Sequence, residues 1–339
     1  MPMSATPRRR PTIKEVARVA GVSHQTVSRY LRFSGGLKES TRARVDAAIR
    51  ELDYRPNLIA RSMRTRRTGR LAILLPGMSS FSPDRMLAGA VATARAEGFV
   101  VEVLSVDGGP GARAERTREL ADSGQVEGVL SLAPLVSDAG QEPNASAPVV
   151  VSADLDDDMR GIGGLADGSV VADLVEGLAG AGHRRFLHVS GSLGFASARE
   201  RKQTYLTTVE RLGLESYGVV DGDWSAESGR EAVRSLPEDG GVTAVIAAND
   251  VVAAGVVRGA LERGWSVPGD LSVTGWDNHP VGAYLSPALT TVDVDRERLG
   301  ADAMRRLVAA VRGTVPEVSD APLNRIIWRE STGPGPERA

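Results

Sequence analysis

The sequence contains no cysteine, only three lysines among its 41 basic residues, and only 14 aromatic residues in 339. Without cysteine the chain forms no disulfide and offers no thiolate metal site or cysteine nucleophile. Its four histidines are scattered and form no His-Glu-x-x-His pattern, so we expect neither a metal ion nor a cofactor.

Long apolar runs are missing as well. No stretch approaches the roughly 20 apolar residues of a membrane helix, and residues 1–10 lack the apolar segment of a signal peptide. Walker A and Gly-x-Ser-x-Gly motifs are absent too. Residues 161–166 fit a dinucleotide fingerprint, but they follow an acidic loop instead of a first strand. We therefore expect a cytoplasmic protein that has no membrane partner and is not an enzyme.

The net charge of −2 hides a strong separation of charge along the chain. Residues 1–70 hold 17 Lys and Arg against 5 Asp and Glu, a net charge of +12, and the remainder carries −14. A basic head on an acidic body is typical of a nucleic-acid-binding module joined to a domain with another task. A basic segment that is merely solvated is the alternative.

The basic head has the pattern of a helix-turn-helix. Behind the N-cap Thr12, apolar residues recur at helical spacing at Ile13, Val16, Ala17 and Ala20. After Gly21 a second helix turns Val27 inward and leaves a polar outer face of Ser23, His24, Gln25, Ser28 and Arg29. In such a pair the second helix enters the major groove.

The residues Val22–Arg29 (VSHQTVSR), with Thr41-Arg42 and residues 52–57 (LDYRPN), resemble the headpiece of the LacI family of bacterial transcription regulators. The similarity continues to about residue 330. It implies that His24, Gln25 and Arg29 meet base edges, and Arg and Gln are suited to guanine and adenine. We expect further DNA contacts from Thr12, Ser23, Thr26, Ser28, Thr41 and Tyr54.

Residues 57–69 form a short basic stretch after Pro56. An isolated helix this short is marginal in water, so we expect it to become ordered only on binding. The resemblance implies a hinge helix that pairs with its dimer mate in the minor groove, with contacts from Asn57 and Ala60. Met63 stands where the family has a leucine that wedges between base pairs. A solvated tether is the alternative.

From Arg70 onward short apolar strands alternate with helical stretches, which predicts parallel sheets with right-handed crossovers. The strands are expected at residues 71–75, 100–104, 126–132, 149–151, 186–189, 217–220, 244–247 and 271–274. We predict an α/β core of two doubly wound parallel-sheet lobes, the periplasmic-binding-protein-like architecture implied by the resemblance, preceded by a small all-α helix-turn-helix headpiece. The stretches 289–292, 295–311 and 323–328 are expected to cross back between the lobes.

The predicted domain boundaries follow from these patterns. We expect a headpiece at residues 1–56, a hinge at 57–69, a core at 70–332 and a disordered tail at 333–339. Lobe 1 should hold about 70–163 and 294–322, and lobe 2 about 164–293 and 323–332.

Ligands of open parallel sheets bind beyond the carboxyl ends of the strands. Four of the rare aromatic residues follow predicted strands, at Phe81, Phe195, Trp224 and Trp276, although any one of them could instead belong to the core. They are accompanied by polar side chains at Arg201, Asn249, Asp250 and Asp277, as a sugar site requires. The resemblance implies effector contacts at Arg201, Trp224, Asn249 and Asp277, and an acidic contact at Asp154. The chain departs from the family pattern in the lobe 1 half, at Leu132, Gly163 and Val294.

These features predict a repressor of carbohydrate-use genes that binds a near-palindromic operator in double-stranded DNA as a homodimer and responds to a sugar. The last residues carry no leucine heptads, so we expect the assembly to stop at a dimer. Two alternatives stay open: a regulator that uses a purine or another corepressor, and a solute-binding transport protein with the same core fold.

Overall fold

The computed structural model describes residues 11–32, 37–54, 67–76, 83–135, 146–152, 154–156, 160–238 and 240–336. The chain forms two compact units, Met1–Thr68 and Gly69–Ala339. The first unit is the headpiece and the second is the core.

The headpiece contains the helices α1 (Ile13–Ala20), α2 (His24–Arg32) and α3 (Glu39–Glu51). Its core is formed where the three helices meet, at the fully buried side chains of Val16, Val27 and Val45. The hydroxyl of Tyr30 also donates a hydrogen bond to Asp46, which ties α2 to α3. The predicted helix-turn-helix is confirmed.

The first sheet of the core has four parallel strands in the order β2-β1-β3-β4. These strands are β1 (Arg70–Pro76), β2 (Val100–Val106), β3 (Val129–Ser131) and β4 (Val149–Val151). Two helices connect the first three strands, α4 (Asp84–Ala96) and α5 (Gly109–Asp122). Leu71 and Ile73 share a core cluster with α4, whereas Ala72 and Leu74 pack with α5 on the other face. Helices therefore cover both faces of the sheet.

The second sheet repeats this design in the order β6-β5-β7-β8, again with parallel strands. Its strands are β5 (Arg185–Val189), β6 (Glu215–Val220), β7 (Ala244–Ala247) and β8 (Ser272–Thr274). Its helices are α6 (Val170–Gly180), α7 (Ala196–Arg211), α8 (Ala226–Arg234) and α9 (Asp250–Glu262). We call the second sheet with α6 to α9 lobe 2. Two 3-10 turns lie at Gly163–Leu165 and Pro280–Tyr284.

The last part of the chain returns to the first sheet. Strand β9 (Thr291–Val294) pairs antiparallel with β10 (Asn324–Ile327), and between them α10 (Arg296–Arg312) packs along α4. We call the first sheet with α4, α5 and α10 lobe 1. The two helices touch through Gly89 and Gly300, where an added Cβ would lie 1.8 Å from a backbone oxygen of the opposite helix. This close approach requires glycine at both positions.

The predicted fold class is confirmed: two doubly wound parallel sheets follow a small all-α headpiece. Strand β3 is shorter than the predicted 126–132, and the strand expected at 289–292 lies at Thr291–Val294. Among the described helices, none is both long enough and apolar enough to span a bilayer.

Candidate DNA-binding and effector sites

Helix α2 presents an open polar face. Ser23 caps it, because its hydroxyl oxygen accepts a hydrogen bond from the backbone N–H of Thr26 at 3.1 Å. His24, Gln25 and Arg29 follow on the exposed side of the helix. Within the described part of the chain these three side chains form no hydrogen bond or ion pair, so their polar groups are available to an external partner.

The other residues that the sequence predicts to contact DNA are less accessible. The hydroxyl of Thr12 accepts a hydrogen bond from the Glu15 backbone and donates one to the Glu15 carboxylate, so it is occupied in capping α1. Thr26, Ser28 and Thr41 are half-buried, and Tyr54 packs in the headpiece core, where burial raises its pKa. The hinge positions Asn57, Ala60 and Met63 lie outside the described residues, as does Phe81.

The predicted effector residues of lobe 2 gather at one edge of its sheet. Because the four strands are parallel, the residues that follow them come together beyond their carboxyl ends. These residues are Gly191 and Phe195 after β5, Trp224 after β6, Asn249 and Asp250 after β7, and Trp276 and Asp277 after β8.

The backbone is strained at the same edge. Four described residues other than glycine have positive φ angles, and three of them lie here: Trp224 at 70°, Asp277 at 100° and Asn278 at 48°. Left-handed conformations of this kind cost free energy and persist where the surroundings enforce them, often at functional sites. The strain fixes the directions in which these side chains leave the backbone.

Trp224 and Phe195 form an aromatic wall. Their ring centroids are 5.3 Å apart in an edge-to-face arrangement. The Trp224 ring lies over Gly191, where an added Cβ would be 2.4 Å from ring atoms, so only glycine fits beneath it. The guanidinium of Arg160, paired with Asp156 at 2.7 Å, lies 5.5 Å from the centre of the Phe195 ring.

Arg201 lies inside the same edge of lobe 2. Its guanidinium stacks 3.9 Å from the centroid of Trp276, and its Nη1 donates to the carbonyl oxygen of Ala248. Burial lowers the pKa of Arg201 to about 10, which still leaves it protonated at neutral pH. Trp276 is only 2% exposed, so its ring supports Arg201 from within the core.

Several buried polar atoms at this edge have no hydrogen-bond partner in the described residues. They belong to Ser190, Arg201, Trp224, Thr274 and Trp276. An unsatisfied buried donor or acceptor costs about 1 to 3 kcal/mol. A polar ligand bound here would offer partners to the atoms that it reaches.

Asn249 and Asp250 have internal partners. The side-chain oxygen of Asn249 caps α9 by accepting a hydrogen bond from the Val252 N–H at 2.8 Å. The Asp250 carboxylate accepts hydrogen bonds from the Thr291 hydroxyl and the His279 backbone, each at 2.6 Å. Burial raises the pKa of Asp250 to about 6, and the nearby charge of Asp277 adds to this shift.

Asp277 accepts a hydrogen bond from Arg296, whose Nη2 lies 2.8 Å from its Oδ1. The sequence does not mark Arg296 as a site residue, because it occupies the first position of an amphipathic helix. Its place directly behind β9 is the only sequence signal that could have marked it.

The lobe 1 residues are placed differently. Asp154 is half-buried, and its Oδ2 accepts a hydrogen bond from the Ser152 hydroxyl at 3.1 Å. Of the positions where the chain departs from the family pattern, Leu132 and Val294 are buried in the core, and Gly163 begins a 3-10 turn. These three positions offer no polar side chain to a ligand.

Comparison with known proteins identifies both parts of the chain. Residues 12–57 match a model described as bacterial regulatory proteins, lacI family, and residues 175–332 match a periplasmic binding protein-like domain. Catabolite control protein A of Priestia megaterium is 31% identical over 330 residues, which are 95% of this chain and 99% of that protein.

Two solved structures extend the likeness to the fold. One is the lac repressor dimer bound to operator and the anti-inducer ONPF, with a TM-score of 0.70 and 26% identity over 96% of this chain and 100% of that one. The other is a complex of the transcriptional regulator CelR with cellobiose, with a TM-score of 0.56 and 28% identity over 95% and 100% of the two chains.

Proposed function

The chain belongs to the lacI family of bacterial regulatory proteins, and on this basis we propose that it is a homodimeric repressor that a sugar releases from its operator. The observation that carries the proposal is the face of α2, where His24, Gln25 and Arg29 are exposed and have no partner among the residues that the structure describes. In a helix-turn-helix, side chains at these positions reach base edges in the major groove. The basic charge of the headpiece supplies attraction to phosphates.

The effector site belongs to the same proposal. Trp224 and Phe195 provide ring faces for the C–H surface of a sugar, and Asp277 provides an acceptor for its hydroxyl groups. The unsatisfied polar atoms of Ser190 and Thr274 support a polar ligand at this edge. The cellobiose bound to CelR is a sugar on a related chain, which favours the same class of effector here.

Two apolar surfaces support the homodimer. In lobe 1, Val91 is exposed on a shallow face of α4 that Leu87, Ala88 and Ala92 also line. In lobe 2, Val251, Val281 and Tyr284 are exposed, and Tyr284 retains 89% of its accessible surface. Apolar side chains grouped in this way mark contact surfaces. We assign both to a second copy of the chain, since the related lac repressor structure is a dimer.

The proposed activity does not require the protein to catalyse a reaction. The protein would act by binding DNA and a small molecule, and its output would be the amount of operator left free for transcription. Because its target is bacterial chromosomal DNA, we place its action in the cytoplasm.

The experiment that tests this function is selection from a pool of random DNA duplexes by the purified full-length chain. We expect enrichment of one near-palindromic sequence, because two headpieces of a dimer read two half-sites. Operator affinity is then measured by fluorescence anisotropy against a panel of sugars and nucleosides. A ligand present at 100 times its Kd should also stabilise the protein by about 2.7 kcal/mol.

Each outcome decides one part of the proposal. Failure to enrich any sequence would contradict operator recognition. A sugar that weakens operator binding supports the inducer mechanism, whereas a purine or sugar that tightens it would establish a corepressor instead.

A further inference from the structure

The Asp277 carboxylate forms an ion pair with a side chain of the protein itself. Arg296 from the start of α10 donates to its Oδ1 at 2.8 Å, while the Asp277 side chain remains 34% exposed. The acceptor assigned to sugar hydroxyls is therefore half of an ion pair that joins lobe 2 to lobe 1. Any ligand that reaches Asp277 also meets the guanidinium of Arg296.

A second guanidinium lies close by without a carboxylate of its own. Arg201 is only 5% exposed and forms no salt bridge with any described residue. Its Nη1 donates to the Ala248 carbonyl, and its Nε–H has no acceptor in the described part of the chain. A buried cation without a charged partner is costly, so such a group usually has a counter-ion in the functional state.

The neighbouring carboxylates do not supply that counter-ion. The two oxygens of the Asp250 carboxylate accept hydrogen bonds from the Thr291 hydroxyl and the His279 backbone N–H. Asp293 is occupied by Arg85, Arg325 and Asn278. Asp277 interacts with both Arg201 and Arg296, so one carboxylate lies beside two guanidinium groups.

We propose that Arg201 and Arg296 form an anion subsite in the effector cleft, and that the effector is a sugar carrying a phosphate or a carboxylate group. This inference rests on the proposed function, because it assigns the chemistry of the same cleft. Two guanidinium groups match the oxygens of a phosphate or carboxylate, and charge-assisted hydrogen bonds are stronger than neutral ones. Arg296 is then the residue that separates an anionic sugar from its neutral parent.

Tryptophan fluorescence of the full-length chain tests this proposal. All four tryptophans lie in Gly69–Ala339, at residues 224, 265, 276 and 328, so anions bound to the basic headpiece change the signal little. The probes are inorganic phosphate, acetate, glucose, glucose 6-phosphate and glucuronate at constant ionic strength. Phosphate and acetate test the anion subsite alone, because neither contains a sugar ring. A comparison of their affinities shows whether the subsite prefers a phosphate or a carboxylate group.

We expect saturable binding of phosphate or acetate, and an anionic sugar that binds at least tenfold more tightly than glucose. Arg296→Gln should weaken anion binding at least tenfold and change glucose binding by a clearly smaller factor. Arg325→Gln is the matched control, because this exposed arginine pairs with Asp293 outside the subsite. The proposal is overturned if neither phosphate nor acetate binds, or if Arg296→Gln binds them as tightly as the wild type does. It is also overturned if glucose binds as tightly as glucose 6-phosphate.

Operator affinity, measured in parallel, separates this proposal from the proposed function. Anion binding that depends on Arg296 but leaves operator affinity unchanged would support the subsite and contradict release by an effector. Release by a neutral sugar without any anion binding would support the repressor and overturn the subsite.

Discussion

Asp293 joins the two lobes through Arg85. The Arg85 Nη1 on α4 lies 3.2 Å from the Asp293 Oδ1, and the same oxygen accepts a hydrogen bond from the Asn278 amide at 3.2 Å. Helix α4 belongs to lobe 1, and Asn278 follows the last strand of the lobe 2 sheet. One carboxylate oxygen therefore connects the two lobes beside the candidate effector site.

Replacement of Arg85 should test this connection. We expect Arg85→Ala to lower the free energy of unfolding by about 1 kcal/mol, the upper range for ion pairs near a surface, because the pair is largely shielded from water. Urea denaturation of the full-length chain measures the change. Arg325→Ala is the control, since the Arg325 side chain is 75% exposed and should cost almost nothing. Equal losses in both variants would show that the contact between the lobes adds no more stability than an exposed ion pair.

Arg29→Ala should weaken operator binding by about 1 to 3 kcal/mol and hardly change binding to scrambled DNA, because it removes a contact to a base edge. Arg66→Ala, in the basic hinge stretch, should weaken both by similar amounts. Fluorescence anisotropy with operator and scrambled duplexes gives the two affinities. If Arg29→Ala reduced both equally, Arg29 would contact phosphate and not a base.

Asp277→Asn should separate DNA binding from effector binding. Asparagine tolerates the left-handed backbone at this position, so the fold should be kept while the charged hydroxyl acceptor is lost. We expect operator affinity without effector to stay within about twofold. The response to a neutral sugar should weaken at least about tenfold, as expected when a hydrogen bond to a charged group is lost. Binding of inorganic phosphate should become stronger, because a negative charge beside Arg296 is removed.

Anisotropy with and without saturating effector measures the outcome for Asp277→Asn. Asp173→Asn on the exposed face of α6 is the control that changes the same charge elsewhere in lobe 2. A normal response in Asp277→Asn would remove Asp277 from the site.

Asp250 should make stability depend on pH. Its folded-state pKa is raised to about 6 from 3.8, so the folded protein binds the proton more tightly than the unfolded chain does. The stabilisation is complete below the unfolded pKa and is lost as pH rises through the folded pKa. Between pH 5 and pH 7 we expect a loss of about 1 kcal/mol from this group. Urea denaturation at the two pH values should show a smaller difference in Asp250→Asn, and an unchanged difference would exclude Asp250 as its source.

Val91→Glu should convert the dimer to a monomer, because it places a charge on the exposed apolar face of α4. Operator affinity should fall as well, since the two headpieces would no longer be linked. Light scattering at micromolar concentration measures the assembly. Val315→Glu is the control, because Val315 is 88% exposed and lies outside α4. A wild-type tetramer, or a dimeric Val91→Glu variant, would contradict the assignment.

Local patterns were enough to predict the elements and the fold class. Helical spacing around Val16 and Val27 marks the headpiece, and short apolar runs such as residues 244–247 mark the strands. The parallel order of the strands then brings Trp224 and Asp277 to one edge, although they lie far apart in sequence.

Contacts between distant segments could not be predicted in this way. Arg296 pairs with Asp277 only because the fold brings the first turn of α10 to the loop that follows β8. Trp276 and Trp224 both follow strands and have similar sequence neighbours. The local sequence does not show that Trp276 stacks with Arg201, whereas Trp224 contacts Phe195. Burial depends on the whole fold, so it separates residues that have similar sequence surroundings.

The close approach of α4 and α10 at Gly89 and Gly300 has a mechanical consequence. At these two positions backbone lies directly against backbone, so no flexible side chain absorbs a displacement there and we expect the helix pair to move as one stiff unit. Arg296 is the first residue of α10, and Val91 is exposed on α4. A ligand that moved Arg296 by a fraction of an ångström would therefore shift the outer face of α4 by a similar distance.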